Sequence, residues 1–293
     1  MKIRFLFLTL LFFNIYSRAH SVQKKDVRKD RRILLVGGGL TLTLATTYLY
    51  IENSWWNEQQ TKFHFDNGSD KVYALNVDKA GHFLGGMHVA NLFSESMLWA
   101  GLNPKKALIG GAIFGTSVQL AIELKDAYAP YWGFSTWDLA IGSFGSFLPI
   151  AQFYSPIINA FDMKISYWKK HSTYWDLERE RGKFPSKYNW YDDYVNQTYW
   201  VSIDLNHFKK NIPEWINISV GFGLDETQYL NENNTKVGGN NEWYIALDYD
   251  ITKIMKRWNT PVAKKIKKWL NYFHFPSPTI RISPEIEFYP LFL

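Results

Sequence analysis

The sequence predicts an α+β protein: a bundle of about four helices within residues 22–160, then a small antiparallel β-sheet region within residues 199–293. Three observations predict it. The first half holds successive apolar, glycine-rich segments of helix length, two of them closed by proline-containing breaks. Beyond residue 199 apolar and polar residues alternate, which is the period of a strand. Between the two, residues 161–198 turn charged and aromatic and read as a connector.

Residues 1–21 read as a signal peptide. Lys2 and Arg4 precede an apolar run, and Ala19 and Ser21 place small residues where a signal peptidase reads, although bulky Tyr16 and Arg18 also suit an uncleaved anchor. Cleavage would remove three basic residues and lower the formal charge from +6 to +3, so the basic balance gives no support to nucleic-acid binding. With no cysteine there is neither a disulfide nor a thiolate metal site, and no acylated cysteine can tether the chain. Attachment to a membrane must come from its own apolar surface. Aromatic residues make up 18 % of the chain, and Trp and Tyr favour membrane interfaces.

After a basic run at 24–32, residues 33–51 are apolar enough to enter a bilayer, with Trp55 and Trp56 as interfacial anchors. A second helix is predicted over 77–102, ended by Asn103-Pro104. A third runs over 105–127, and a fourth from Ser135 to about Phe153. Gly81 with Gly85, Gly111 with Gly115, and Gly142 with Ser146 repeat small residues four apart, which lets helix backbones approach closely in lipid or in a tight soluble bundle.

These helices also carry ionisable residues that are costly to bury unless they face one another, a cavity or an ion. Asp78 and His82 share one helix face, with Lys79 beside them; Gln119, Glu123 and Asp126 form a stripe on the next helix; Ser135 and Asp138 open the last. In an up-down bundle these three helix ends lie on one side, so the rows converge into one acidic pocket. Each residue has a plainer reading. Ser135 and Asp138 match a capping box, Lys79 would neutralise Glu123 or Asp126, and His88, on another face, is a packing histidine. His82, Glu123 and Asp126 are the candidate metal ligands, without a His-Glu-x-x-His signature to make the case specific, and no cofactor is assigned.

The stretch Asp78-Lys79-Ala80-Gly81-His82, the pair Glu123 and Asp126, and Gly133-Phe134-Ser135-Thr136-Trp137-Asp138 followed by Gly142 and Gly145 resemble the YfiM-like family of predicted periplasmic proteins. The same residues are more distantly similar to VanZ-like membrane proteins, which share an Asp-Lys-x-x-His opening, a later glutamate and an aspartate at the start of the last helix. The resemblance covers the second to fourth helices, about a quarter of the chain. It implies an envelope location and a helical domain with a polar pocket, and no established reaction. Many YfiM-like members are described as lipoproteins, and this chain departs from that pattern in having no cysteine.

In the second half, four runs alternate: 199–205, 215–224, 243–251 and, interrupted by Pro284, 279–288. Four strands are too few for a closed transmembrane barrel, so a small sheet against the helices is expected, its apolar face covered by the helices, another copy or lipid. An amphipathic helix near 262–273 sets Val262, Ile266, Trp269, Leu270 and Phe273 against Lys264, Lys265, Lys267 and Lys268. That pattern suits anionic headgroups, or equally a surface helix packed on the sheet.

The expectation is therefore an exported, membrane-associated protein of the bacterial cell envelope, on the periplasmic side or at the outer membrane, with the inner membrane as alternative. The expected partner is a membrane lipid, with an envelope protein or a second copy as further candidates. The pocket would bind a lipid or lipid-linked headgroup, turn over a phosphorylated one, or serve a scaffold that recruits partners through its strands. Topology reads two ways: the basic stretches at 24–32, 105–106 and 164–170 fall on one side of a four-span bundle and favour it as cytoplasmic, whereas a cleaved leader would leave Lys24 outside.

Overall fold

The computed structural model describes residues 27–52, 60–68, 71–130, 132–180 and 193–293. The leader, Lys24, the Trp55-Trp56 pair and the charges Arg181 and Lys183 lie outside the described residues. The first half is helical: α1 (Val27–Glu52), α2 (Val77–Trp99), α3 (Pro104–Asp126) and α4 (Thr136–Tyr154). Asn103 caps α3 by accepting from the Lys105 N–H, with Pro104 in the first turn where its missing donor costs nothing. Among the described residues, two helices are long and apolar enough to cross a membrane, α1 over Arg28–Leu49 and α3. α1 leaves Leu34, Leu35 and Leu42 more than half exposed. It meets the bundle through Arg32, stacked over the Trp99 ring, and through Glu52, 3.4 Å from Lys125 Nζ.

Helices α2, α3 and α4 pack on one another at distances set by their small residues. A Cβ at Gly86 would sit 2.0 Å from the Gly142 carbonyl oxygen, one at Gly145 2.0 Å from the Phe83 carbonyl oxygen, and one at Gly111 2.5 Å from the Ala90 carbonyl oxygen. The expected pairs Gly111/Gly115 and Gly142/Ser146 do lie at these crossings, but on α2 the close-approach glycine is Gly86. Gly85 has only ordinary contact with Gln119, and Gly81 faces the phenol of Tyr199. Because backbone rather than a flexible side chain opposes Gly86, Gly86→Ala is expected to destabilise by about 3 kcal/mol or more. A variant that unfolds in detergent at the wild-type denaturant midpoint would show that the helices are not in this contact.

The second half is a six-stranded antiparallel sheet in the order β1-β2-β3-β6-β7-β8, with a separate β4-β5 hairpin. The strands are β1 (Phe161–Tyr167), β2 (Gln197–Asp204), β3 (Ile216–Leu224), β4 (Gln228–Leu230), β5 (Lys236–Gly238), β6 (Asn241–Tyr249), β7 (Ser277–Ser283) and β8 (Glu287–Phe292). Short helices α5 (Thr173–Glu180), α6 (Leu205–Phe208), α7 (Ile251–Ile254) and α8 (Pro261–Leu270) connect them. Two sequence expectations change. The last alternating run is two strands, because Pro284 falls in the turn between β7 and β8. The supposed connector supplies β1 and α5. Lys164, which reads as a solvated connector charge and as a topological marker, is buried, 2.7 Å from Asp248 Oδ2 with its ammonium also donating to the Tyr249 carbonyl.

The sheet curls. The chain just before β7 hydrogen-bonds to the outer edge of β1, Ile165 N–H to the Tyr272 carbonyl at 2.9 Å and His274 N–H to the Ile165 carbonyl at 3.0 Å. Its enclosed side holds Trp200, Tyr244 and Phe292 together with Lys164, Ser202, Asn217, Ser219, Asp248 and Thr279. The His274 imidazole stacks on Trp200 at 3.9 Å between centroids, and burial pushes its pKa down to about 4, so it is neutral at pH 7. The outer side is apolar. Part of it, Met163, Ile165, Tyr199 and Phe222, packs against Val77, Leu84 and Met87 of α2 and forms the junction between the halves.

Candidate functional site

The site sits where the start of α2, the end of α3 and the start of α4 meet. Asp78 and Lys79 occupy the first turn of α2, and His82 follows one turn on. Gln119 and Glu123 lie a turn apart near the end of α3, and Ser135 caps α4 with Asp138 in its first turn. Asp78, Lys79, Gln119, Glu123, Ser135 and Asp138 are all buried; the His82 side chain, 18 % exposed, is the way in. Asp126 is half-buried at the last residue of α3.

Local chemistry fixes each group. The Ser135 hydroxyl accepts from the Asp138 N–H at 3.1 Å, as a helix cap should. A complete capping box would turn the Asp138 carboxylate back to the Ser135 N–H, but Glu123 of α3 takes that donor at 3.0 Å. Asp138 turns to Lys79 instead, 3.1 Å from its ammonium, with Asp78 at 3.3 Å. One expectation is thereby corrected, since the capping box is split between two helices; and Lys79, expected beside Glu123 or Asp126, has Asp78 and Asp138 against its ammonium. Asp78 and Asp138 also sit at positive helix N-termini, which favours their ionised forms. Glu123 lies at the negative end of α3, and the Ser135 N–H offsets that.

His82 Nδ1 lies 2.9 Å from the Gln119 amide oxygen and 3.8 Å from Glu123 Oε1. An amide oxygen only accepts, so in this contact Nδ1 is the donor. Among the described residues, His82, Glu123 and Asp138 form a group that could hold a metal ion, their ligand atoms all within 4.8 Å of one another; Asp126, the third candidate from the sequence, is not in that group. One imidazole and two carboxylates suit a divalent ion such as Zn²⁺ or Mn²⁺, and Lys79 would compete with it for Asp138.

His88 is the packing histidine expected of it, stacked on Trp269 at 5.7 Å and edge-on to Tyr272 at 4.4 Å. The helix motifs alone do not disclose the sheet's share in the site. Tyr199 lies over Gly81 and donates to the Gln197 amide oxygen at 2.6 Å; burial, and then the nearby Asp78 charge, push its phenol above its ordinary pKa, so it stays protonated. Asn241 donates at 2.9 Å to the Leu75 carbonyl, inside a turn where Ala74, Leu75 and Asn76 all have positive φ just before Asp78. Left-handed backbone at non-glycine residues costs of order 1 kcal/mol each, so the sheet holds a strained turn that aims the start of α2. The signal in the sequence was Gly81, where a Cβ would come within 2.9 Å of the Tyr199 hydroxyl oxygen. No protein-family model, no curated protein and no solved structure matches the chain.

Proposed function

We propose that this is a membrane-associated protein of the bacterial cell envelope whose helical bundle binds the headgroup of a lipid or lipid-linked molecule. One observation carries the reading. Three buried carboxylates, Asp78, Glu123 and Asp138, gather with Lys79 and the partly exposed His82 among helices whose outward faces are apolar, with Ile109, Ile113, Phe144 and Phe147 at least half exposed. Acids in excess of lysine favour a cationic group, such as the ammonium of an amine-bearing headgroup, which can be drawn from the membrane that the apolar faces require. The resemblance of the motif to YfiM-like proteins supports the envelope location.

An enzyme reading uses the same residues and is favoured by the His82, Glu123 and Asp138 cluster. There a divalent ion held by His82, Glu123 and Asp138 would polarise a phosphorylated headgroup, with Lys79 neutralising the anion. A scaffold role through the strand-rich half makes the pocket irrelevant.

The test is titration of the detergent-purified protein with short-chain phosphatidylethanolamine, phosphatidylcholine and phosphatidylglycerol, with phosphate release followed in parallel. Wild type is expected to prefer the primary amine, and Glu123→Gln and His82→Ala to lose at least about tenfold in affinity with unfolding midpoints retained. Equal binding by these variants, or by all three lipids, would end the binding reading. Headgroup release that needs a divalent ion would replace it with the enzyme.

A further inference from the structure

We infer that the curled sheet is itself a lipid-facing surface: the part of its convex side that α2 leaves uncovered lies against acyl chains, and α8 rests at anionic headgroups. The inference extends the membrane association proposed above and is independent of what the pocket binds.

It starts from the direction in which the strands point. A water-soluble antiparallel sheet turns its apolar residues to the core and its polar ones to solvent. On this sheet the enclosed side sets polar Lys164, Ser202, Asn217, Ser219 and Asp248 around an aromatic cluster of Trp200, Tyr244 and Phe292, while Val220, Ile245, Leu247 and Ile280 point out, 37–44 % exposed, and Phe288 is 62 % exposed. Polar-in and apolar-out alternation is the pattern of strands that face lipid.

The outward residues also form a continuous patch. The register places Val201 opposite Val220, Val220 opposite Ile245, Ile245 opposite Ile280, and Ile280 opposite Phe288, an unbroken apolar row across five strands. Contiguous apolar surface of this kind marks a protein or membrane contact. The charge on α8, the helix that leads through Tyr272–His274 into β7, chooses between them. On α8, Val262 and Ile266 are at least half exposed and are flanked by exposed Lys264 and Lys265, and Trp258 stands exposed just before the helix. An apolar stripe rimmed by lysine with a nearby tryptophan matches an anionic membrane interface.

The absence of cysteine makes the test direct, since single-cysteine variants carry no background. Val220→Cys and Ile245→Cys, with Asn233→Cys on the β4-β5 turn as the control, are labelled with an environment-sensitive fluorophore. The full-length protein is reconstituted in vesicles of phosphatidylethanolamine and phosphatidylglycerol. Labels at 220 and 245 are expected to shift to the blue, to be quenched by brominated acyl chains and to resist aqueous iodide, with the reverse at 233. Iodide quenching at 220 and 245 comparable to that at 233 would overturn the inference. So would self-quenching between labelled copies that disappears on dilution with unlabelled protein, since a second copy would then cover the face. Headgroup titration of the same labelled variants distinguishes this failure from failure of the pocket reading.

Discussion

Lys79→Met destabilises the protein by about 3–5 kcal/mol, because it removes the ammonium between two buried carboxylates and leaves their charge without its counter-ion. The triple variant Lys79→Met, Asp78→Asn, Asp138→Asn removes the charges together. It is expected to recover most of that loss, since amides at the same positions keep hydrogen-bonding capacity without the ionic cost. Denaturant unfolding in detergent gives the stabilities, and headgroup titration gives the function. If the cluster exists to bind a ligand, the triple variant folds and does not bind. A triple variant that binds as wild type does would make the cluster a fastener between α2 and α4. The design turns on the observed partners: neutralising Glu123 and Asp126, the acids expected to face Lys79, would leave Asp78 and Asp138 charged.

Lys164→Met is expected to cost a similar amount, about 3–5 kcal/mol, because Asp248 is fully enclosed and the lysine also holds the Tyr249 carbonyl. The control is Lys125→Met. Its partner Glu52 has a side chain 40 % exposed, so solvent screens the pair and the loss should stay below about 1 kcal/mol. Equal losses in the two variants would mean that water reaches the enclosed side of the sheet, and the argument for an apolar exterior around a dry polar interior would fall with it.

That these side chains come together was legible because helical periodicity places Asp78 with His82 and Gln119 with Glu123, and because successive antiparallel helices bring the start of α2, the end of α3 and the start of α4 to one side. Who pairs with whom was not legible. Asp138 satisfies the spacing of a cap whether its carboxylate turns to its own helix or to Lys79, and only the arrival of Glu123 at the Ser135 N–H decides it. Tyr199 and Asn241 reach the site from strands more than a hundred residues away, which no local spacing encodes.

The sheet divides in the same manner. By itself the sequence determined that strands alternate beyond residue 199, that one face is apolar, and that close approaches lie along the glycines of α3 and α4, because these follow from period and side-chain size. Only the tertiary structure decided which face is enclosed. Alternation reads the same from either side, and inside and outside are assigned only when Tyr272–His274 meets the edge of β1 and curls the ribbon around its polar residues. That closure turns Lys164 from an apparent connector charge into the partner of Asp248, since whether a lysine is solvated or buried depends on what folds over it and not on its neighbours in the chain.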